Sequence, residues 1–189
     1  MHNILVLEGS PRQGNTSTVT DWVLAGMGRG IEVERVRVCE QSIHECQECY
    51  TCSKTKNGAG CAQDDDMVGL YEQMVDADLV IWTSPIFCWG ITGRLKMVVD
   101  RCLALLAGES LLKGSRWALI ATAGGDHFDG ADLAVEMFRR LADFAKVEYL
   151  GQLVVANCPD GKKLKQNKAI EQQAREFGRE LVRSLKTSV

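Results

Sequence analysis

Short apolar runs alternate with stretches of helical periodicity along the chain, and this alternation is the feature that most restricts its fold. The runs cover residues 4–7, 31–38, 79–83 and 117–122, with a fifth somewhere within 147–155. Continuous apolar runs are typical of strands buried on both faces of a parallel sheet, and strand–helix alternation is typical of right-handed crossovers. We therefore predict an α/β fold: a three-layer, doubly wound single domain over residues 1–189, with a five-stranded parallel sheet of order 2-1-3-4-5.

The helical stretches each carry an apolar stripe that predicts a buried face. The fourth helix, for example, is predicted to bury Leu133, Met137, Leu141 and Phe144. Single helices are predicted over about 95–106 and about 165–185. The strand over 31–38 alternates apolar and charged residues, which predicts an edge strand with one solvated face. Asp64, Asp65 and Asp66 precede the second helix, where carboxylates complement the helix dipole, and this explains them better than a metal site does.

The turn between the first strand and the first helix, residues 8–18, has the composition of an anion site. Free backbone N–H groups and the positive end of a helix dipole meet there, an arrangement that suits a phosphate. The turn lacks the Lys-Ser/Thr of a nucleoside-triphosphate loop and the G-x-G-x-x-G of a dinucleotide site. We predict a single terminal phosphate held by Ser10, Arg12, Asn15, Thr16 and Ser17; an ordinary strand-to-helix turn is the alternative.

Composition narrows the class of protein. A length of 189 residues, with 46% hydrophobic and 25% charged residues, is ordinary for one globular domain. The net charge of -3 gives no support to nucleic-acid binding. We expect a cytoplasmic protein without a membrane partner, because the sequence shows neither a signal peptide nor a membrane-length apolar run. Eight cysteines are then better explained as reduced thiols, ligands or redox groups than as disulfides.

Two further loops, after the third and fourth strands, are predicted to lie at the same sheet edge as the phosphate turn. Aromatic side chains and glycines in these loops offer a flat surface and close backbone approach. A planar ring resting on backbone N–H groups, with its phosphate in the first turn, fits flavin mononucleotide (FMN). Packing or a subunit interface remains the alternative for the aromatic residues. The ring contacts predicted from these residues are Pro85, Phe87, Trp89, Gly90, Gly124 and Gly125.

The segment 39–63 has no clear period and contains a compact group of cysteines. Cys46, Cys49 and Cys52 give two successive C-x-x-C spacings, and Cys61 follows after eight residues. Such spacing suits a 4Fe-4S cluster, because short loops can wrap several thiolates around one cofactor. Reduced thiols without metal and a zinc site remain open alternatives. Outside this group, Cys39, Cys102 and Cys158 are predicted to be buried and Cys88 to be exposed.

Three ordered motifs together resemble the NAD(P)H-dependent FMN reductase and iron-sulfur flavoprotein family. They are Gly9-Ser10-Pro11-Arg12 with Gly14-Asn15-Thr16, the four cysteines ending at Asp64-Asp65-Asp66-Met67, and Ser84-Pro85-Ile86-Phe87 with the run 95–101. The resemblance implies a flavodoxin-like fold and bound FMN. It also implies the phosphate contacts given above, and it suggests a homodimer or homotetramer. The ring contacts that the resemblance implies are Pro85, Ile86, Phe87, Trp89, Gly90, Ala123, Gly124 and Gly125.

The predicted function is that of a flavin oxidoreductase. It takes hydride from NAD(P)H and passes electrons to an unidentified acceptor, with a cluster releasing them singly where one is present. No catalytic side chain is required, since FMN carries the chemistry. The first alternative is a flavodoxin-like electron carrier without its own substrate. The second is a redox-sensing or metal-sensing interaction protein that uses the cysteine loop.

Overall fold

Five parallel strands form one sheet in the computed structural model, which describes residues 1–55, 59–107 and 110–187. The strands are β1 (His2–Glu8), β2 (Ile31–Arg37), β3 (Leu79–Pro85), β4 (Arg116–Thr122) and β5 (Glu148–Val155). The helices are α1 (Asn15–Met27), α2 (Met67–Asp76), α3 (Gly93–Arg101), α4 (Leu103–Leu106), α5 (Ala131–Ala145), α6 (Gly161–Gln166) and α7 (Lys168–Thr187).

The strand order is β2-β1-β3-β4-β5 with every neighbouring pair parallel, as predicted. The chain therefore reverses its winding direction between β1 and β3, where Val6 pairs with Ile81. In a doubly wound sheet the ligand lies outside the carboxyl ends of the strands at this switch point. The loops after β1, β3 and β4 all leave the sheet at that edge.

Each face of the sheet carries its own hydrophobic core, which makes three layers. Leu5 and Leu7 point to the core shared with α2, α3 and α5. Ile4 and Val6, which alternate with them along β1, point to the core shared with α1 and α7. The central strands are buried on both faces, which explains why their sequences are continuous apolar runs.

Some predicted helices differ from those observed. The third crossover is two helices, α3 and α4, that meet at the fully buried Cys102, and the C-terminal stretch is α6 followed by α7. The strand β2 lies at the edge, but Val33 is 36% exposed, so its inner face is less covered than predicted.

The predicted buried face of α5 is wrong for its two end residues, whereas Met137 and Leu141 are partly buried against the core. Leu133 and Phe144 are 54% and 69% exposed, and the buried face is instead formed by Ala134, Val135, Phe138 and Ala142. The reason lies in the sheet beneath: Trp82 contacts both Trp117 and Phe138 at ring-centroid distances of 5.2 Å. The two indoles fill the space between the sheet and α5, so the alanine side chains on this face let the helix approach the sheet.

Segment 38–63 has no regular structure in its described residues beyond two short 3-10 turns, Val38–Glu40 and Cys52–Lys54. This agrees with the predicted loop; positions 56–58 of that prediction lie outside the described residues. Among the helices described, none is long and apolar enough to span a membrane.

Candidate functional site

The first turn of α1 faces the carboxyl edge of the sheet without a side-chain cap. Gly14 occupies the N-cap position, and no side chain in the described chain accepts a hydrogen bond from the helix start. The first backbone N–H groups of a helix have no partner within the helix itself. Together with the dipole, they form a ready position for an anion.

The loop that leads to this helix packs closely against the third crossover, which is the segment between β3 and β4. The Gly9 N–H donates to the Thr83 carbonyl at 2.8 Å, and the Thr92 hydroxyl donates to the Gly9 carbonyl at 2.8 Å. A Cβ at Gly9 would lie 2.9 Å from Leu95 Cβ and 2.9 Å from Thr92 Oγ1. Glycine is therefore required here for close approach, and this contact fixes the loop relative to α3.

The predicted phosphate residues are already partly committed to protein contacts. The Ser10 hydroxyl donates to the Arg12 carbonyl at 2.7 Å, and the Asn15 amide donates to the Pro159 carbonyl at 2.8 Å. The Thr16 hydroxyl lies 2.7 Å from that of Thr122 and is buried. Arg12 is exposed, with its guanidinium beside Gly14, so its side chain is free to turn toward an anion.

The loops after β1, β3 and β4, together with the segment after β5, enclose a cavity of about 180 Å³. Four of the predicted FMN residues do not line this cavity: Ser17, Trp89, Gly90 and Gly125. Ser17 lines the adjacent groove along β2 instead. The cavity is lined by Ser10, Arg12, Gly14, Asn15, Thr16, Pro85, Ile86, Phe87, Thr122, Ala123, Gly124 and Cys158.

Trp89 and Gly90 belong to a tight hairpin that stands at the rim of the cavity. Phe87 and Gly90 exchange backbone hydrogen bonds of 2.8 and 3.0 Å, which closes a two-residue turn. Cys88 and Trp89 form that turn with φ of 45° and 62°, and both side chains are exposed. Non-glycine residues rarely adopt such angles, and they are held there by surrounding structure. A Cβ at Gly130 would lie 2.3 Å from Trp89 Cα, so α5 supports the hairpin directly.

Sequence reasoning missed the contribution of Thr122 and of the segment after β5. The Asn157 N–H donates to Gly125 O at 2.7 Å, and the Cys158 N–H donates to Ala123 O at 2.8 Å, so this segment fixes the loop after β4. Cys158 is half-buried and lines the cavity, which corrects its predicted full burial. Desolvation raises the pKa of its thiol. The predicted strand order places β5 beside β4, and this order could have indicated that the segment after β5 lies near the loop after β4.

The other cysteine predictions are mixed. Cys102 is buried and Cys88 exposed, as predicted, whereas Cys39 is only half-buried. Burial raises the pKa of the Cys102 thiol to about 12, so it behaves as a small apolar side chain.

A second cavity, of about 230 Å³, brings together Cys46, Cys49, Cys52 and Cys61. Residues on α3 and α4, among them Arg101 and Leu103, complete its wall. No three His, Cys, Asp or Glu side chains in the described parts of the chain approach closely enough to hold one metal ion. A mononuclear zinc site needs four ligands within about 2.3 Å of one point.

Arg101 is the charged residue of this cavity, and it is almost fully buried, with its side chain 1% exposed. Both of its terminal nitrogens donate to Asp65, at 2.8 and 3.0 Å. Burial by itself would raise the pKa of the Asp65 carboxyl, but hydrogen bonds from Arg101 and from the His44 and Met67 N–H groups outweigh it and hold that pKa well below its usual range. The triple aspartate thus does more than start α2, because Asp65 anchors the cysteine loop to α3.

Both cavities fit the groups that the sequence predicted. The uncapped start of α1 has backbone N–H donors available for a phosphate. The exposed aromatic side chains of the hairpin and the backbone of Gly124 offer contact surfaces to a planar group. Four thiols around one cavity, with a buried guanidinium, suit an anionic metal–sulfur group.

Comparison with known proteins places this geometry in a family. The family model described as NADPH-dependent FMN reductase matches residues 2–159. An iron-sulfur flavoprotein of Methanocaldococcus jannaschii is 34% identical over 139 residues, covering 73% of this chain and 68% of the relative. An iron-sulfur flavoprotein of Archaeoglobus fulgidus is 33% identical over 134 residues, covering 70% and 67%.

A solved structure shares the fold. The NAD(P)H:quinone oxidoreductase from Methanothermobacter marburgensis superposes with a TM-score of 0.74 at 18% identity, covering 95% of this chain and 94% of that one. At this identity the likeness concerns the fold alone. The family match, however, extends from the start of β1 past the segment that closes the first cavity, and on that ground the chain belongs to the NADPH-dependent FMN reductase family.

Proposed function

We propose that this protein is an FMN-dependent oxidoreductase that takes hydride from NAD(P)H and passes the electrons to an acceptor. One observation carries the proposal: the uncapped N-terminus of α1 opens into a cavity that the loops after β1, β3 and β4 share. Membership of the FMN reductase family supports the same cofactor. When bound, FMN supplies two-electron hydride chemistry and one-electron transfer.

The phosphate end is proposed to lie against the start of α1. Backbone N–H groups of Asn15, Thr16 and Ser17 supply donors there, and this explains how Ser17 contributes although its side chain lines a different groove. Arg12 supplies the positive charge and turns inward from its exposed position. The Ser10, Asn15 and Thr16 side chains act mainly by holding the loop, through their contacts with Arg12, Pro159 and Thr122.

The ring end is proposed to rest beside Pro85, Ile86 and the loop 123–125. The Ile86 and Ala123 N–H groups already donate to the Thr122 and Val155 carbonyls, so the N–H groups of Gly124 and Gly125 are the donors proposed to stabilise negative charge on the ring. No charged side chain is then needed. Trp89, 64% exposed on its supported hairpin, provides a face on which the nicotinamide ring stacks. The hairpin orients the donor and excludes water from one side.

The cysteine cavity is proposed to hold an iron-sulfur cluster ligated by Cys46, Cys49, Cys52 and Cys61. Their arrangement around one cavity and the iron-sulfur relatives support this assignment. When bound there, such a cluster would supply one-electron chemistry toward an acceptor.

Anaerobic reduction of the purified, FMN-loaded protein tests the function. We expect NADH or NADPH to bleach the flavin absorption in a single turnover. Trp89→Ala should slow bleaching at least tenfold while FMN content is unchanged. Phe144→Ala is the matched control, because Phe144 is similarly exposed but lies at the far end of α5. Failure of both nucleotides to bleach bound flavin would instead favour an electron carrier without its own substrate.

A further inference from the structure

Arg101 is a buried cation whose contacts with Asp65 and His44 leave one guanidinium nitrogen without a partner. It lies in the last turn of α3, where an arginine side chain is usually exposed to solvent. Instead its side chain is 1% exposed and lines the cavity of the four cysteines. Burying a charge is costly even after relaxation, and the cost is compensated only by good geometry and complete hydrogen bonding.

Three of its hydrogen bonds go to the protein. Nη1 donates to the His44 carbonyl at 3.0 Å and to Asp65 Oδ2 at 2.8 Å, and Nη2 donates to Asp65 Oδ1 at 3.0 Å. These contacts connect α3 to both ends of the cysteine loop, because His44 precedes Cys46 and Asp65 follows Cys61. They explain why the guanidinium is fixed in place.

The Nε–H group has no such partner. It is buried, and no hydrogen-bond acceptor reaches it among the described residues. A buried donor without a partner destabilises the folded state, so native proteins rarely leave one. Burial lowers the pKa of Arg101, but Asp65, the Tyr71 hydroxyl and the Cys61 thiol together raise it, so Tyr71 and Cys61 both lie near this guanidinium. The Tyr71 hydroxyl itself donates to the Arg101 carbonyl at 3.1 Å. A thiolate or sulfide in the cavity is the kind of acceptor that is lacking.

We propose that Arg101 sets the reduction potential of the metal–sulfur group in the cysteine cavity, by donating a hydrogen bond from Nε–H to a sulfur of that group. This inference rests on the proposed function, since it needs the cluster to be present. Arg101 is a positioning residue and does not ligate metal. Asp65 and the His44 carbonyl orient it by fixing the two terminal nitrogens, which leaves Nε as the one guanidinium nitrogen without an acceptor among the described residues.

The sign of the effect follows from charge. Adding one electron makes the thiolate-ligated group more negative, and hydrogen bonds to its sulfurs stabilise that reduced form, which raises the potential. Asp65 works in the opposite direction, because its carboxylate offsets part of the guanidinium charge. Removing the donor should therefore lower the potential, and removing the carboxylate charge should raise it.

Two variants with opposite expected signs test the proposal. Arg101→Lys keeps a positive charge but has no donor at the Nε position. We expect its equilibrium constant for accepting an electron to fall about tenfold, which is about 59 mV for a one-electron couple. Asp65→Asn should shift the potential in the positive direction. Arg140→Lys, at an exposed site on α5, is the control and should match the wild type.

The measurements are iron and sulfide content, FMN content, and the midpoint potential from anaerobic redox titration followed by electron paramagnetic resonance. Only the iron-loaded fraction contributes to the potential, so partial loading does not disturb it. Should Arg101→Lys fail to fold, seen as loss of FMN, Asp65→Asn still tests the sign. Loaded variants with the wild-type potential would overturn the proposal and leave Arg101 a purely structural role.

Failure of the proposed cluster is distinguishable from failure of this inference. Wild-type protein that takes up no iron on anaerobic reconstitution overturns the cluster and, with it, the role of Arg101. Wild-type protein with a full cluster whose potential is insensitive to Arg101→Lys and Asp65→Asn overturns the inference alone.

Discussion

Replacing Gly9 by alanine should weaken FMN binding through a defined steric conflict. The new Cβ would lie 2.9 Å from two atoms of the third crossover and 3.0 Å from the Thr83 carbonyl oxygen, whereas ordinary contacts begin at 3.4 Å. The excess is therefore 3.4 − 2.9 = 0.5 Å in the worst contacts. Because these atoms belong to both β3 and the start of α3, no single side chain can move to relieve all three contacts.

We expect the conflict to displace the loop that contains Gly9, and not the residues that pack against it. Thr83, Thr92 and Leu95 are all at most 4% exposed and are fixed by the core. Overpacking of this kind costs about 1–3 kcal/mol. A loop displaced by about half an ångström loses aligned donors to the phosphate, and each 1.4 kcal/mol of lost binding is about tenfold in affinity. We therefore expect FMN affinity to fall about tenfold or more, and the melting temperature of the apo-protein to fall by roughly 3 °C per kcal/mol.

Titration of apo-protein with FMN, followed by flavin fluorescence, measures the affinity, and thermal unfolding measures the stability. Gly69→Ala is the matched control: it adds the same methyl group inside α2, where no heavy atom lies within 4 Å. It should leave FMN affinity unchanged and stabilise α2 by up to about 1 kcal/mol. A Gly9→Ala protein that binds FMN with wild-type affinity would refute the reasoning, because the loop would then not hold the phosphate.

Two other predictions concern single sites. Gly124→Ala places a methyl group in open space in the apo-protein, so it should leave unfolding unchanged while weakening FMN binding several-fold; equal FMN affinity would argue against a ring seated beside this loop. Asp65→Asn should cost about 3 kcal/mol of unfolding free energy at neutral pH, because it leaves the Arg101 guanidinium buried beside a neutral group. Since the folded-state pKa of Asp65 is depressed, the wild-type advantage is present above the ordinary carboxyl pKa and declines only as pH falls below it toward the folded-state pKa. Urea unfolding of both proteins over an acid series measures this difference, and an advantage that vanishes already near neutral pH would contradict the ion pair.

The local pattern of the chain was sufficient for the fold and for the general position of the site. Apolar runs such as residues 4–7 and 117–122 are strands because burial on both faces demands continuous apolar sequence. The number of strands and the short connections left few topologies, and the observed order is the predicted one. The loops after β1, β3 and β4 then had to share one edge, and nine of the predicted FMN residues do line one cavity there.

The errors concern which side of an element is covered. Leu133 and Phe144 have the spacing of a buried stripe, yet the indoles of Trp82 and Trp117 occupy the space beneath α5, so the face rich in alanine packs inward. Ser17 carries the right chemistry at the right position, but the rotation of α1 directs its side chain to the neighbouring groove. Helical period alone does not set that rotation.

Sequence by itself determined what each segment is: strand, helix, glycine turn or cysteine loop, since these follow from the residues within a few positions. Tertiary structure alone decided that Arg101, an ordinary polar residue at a helix end, is buried against Asp65 and faces the cysteine cavity. It likewise decided that Cys158 completes the first cavity. Burial and pairing of this kind depend on contacts between residues far apart in the chain. The local sequence does not indicate which distant surfaces will pack together.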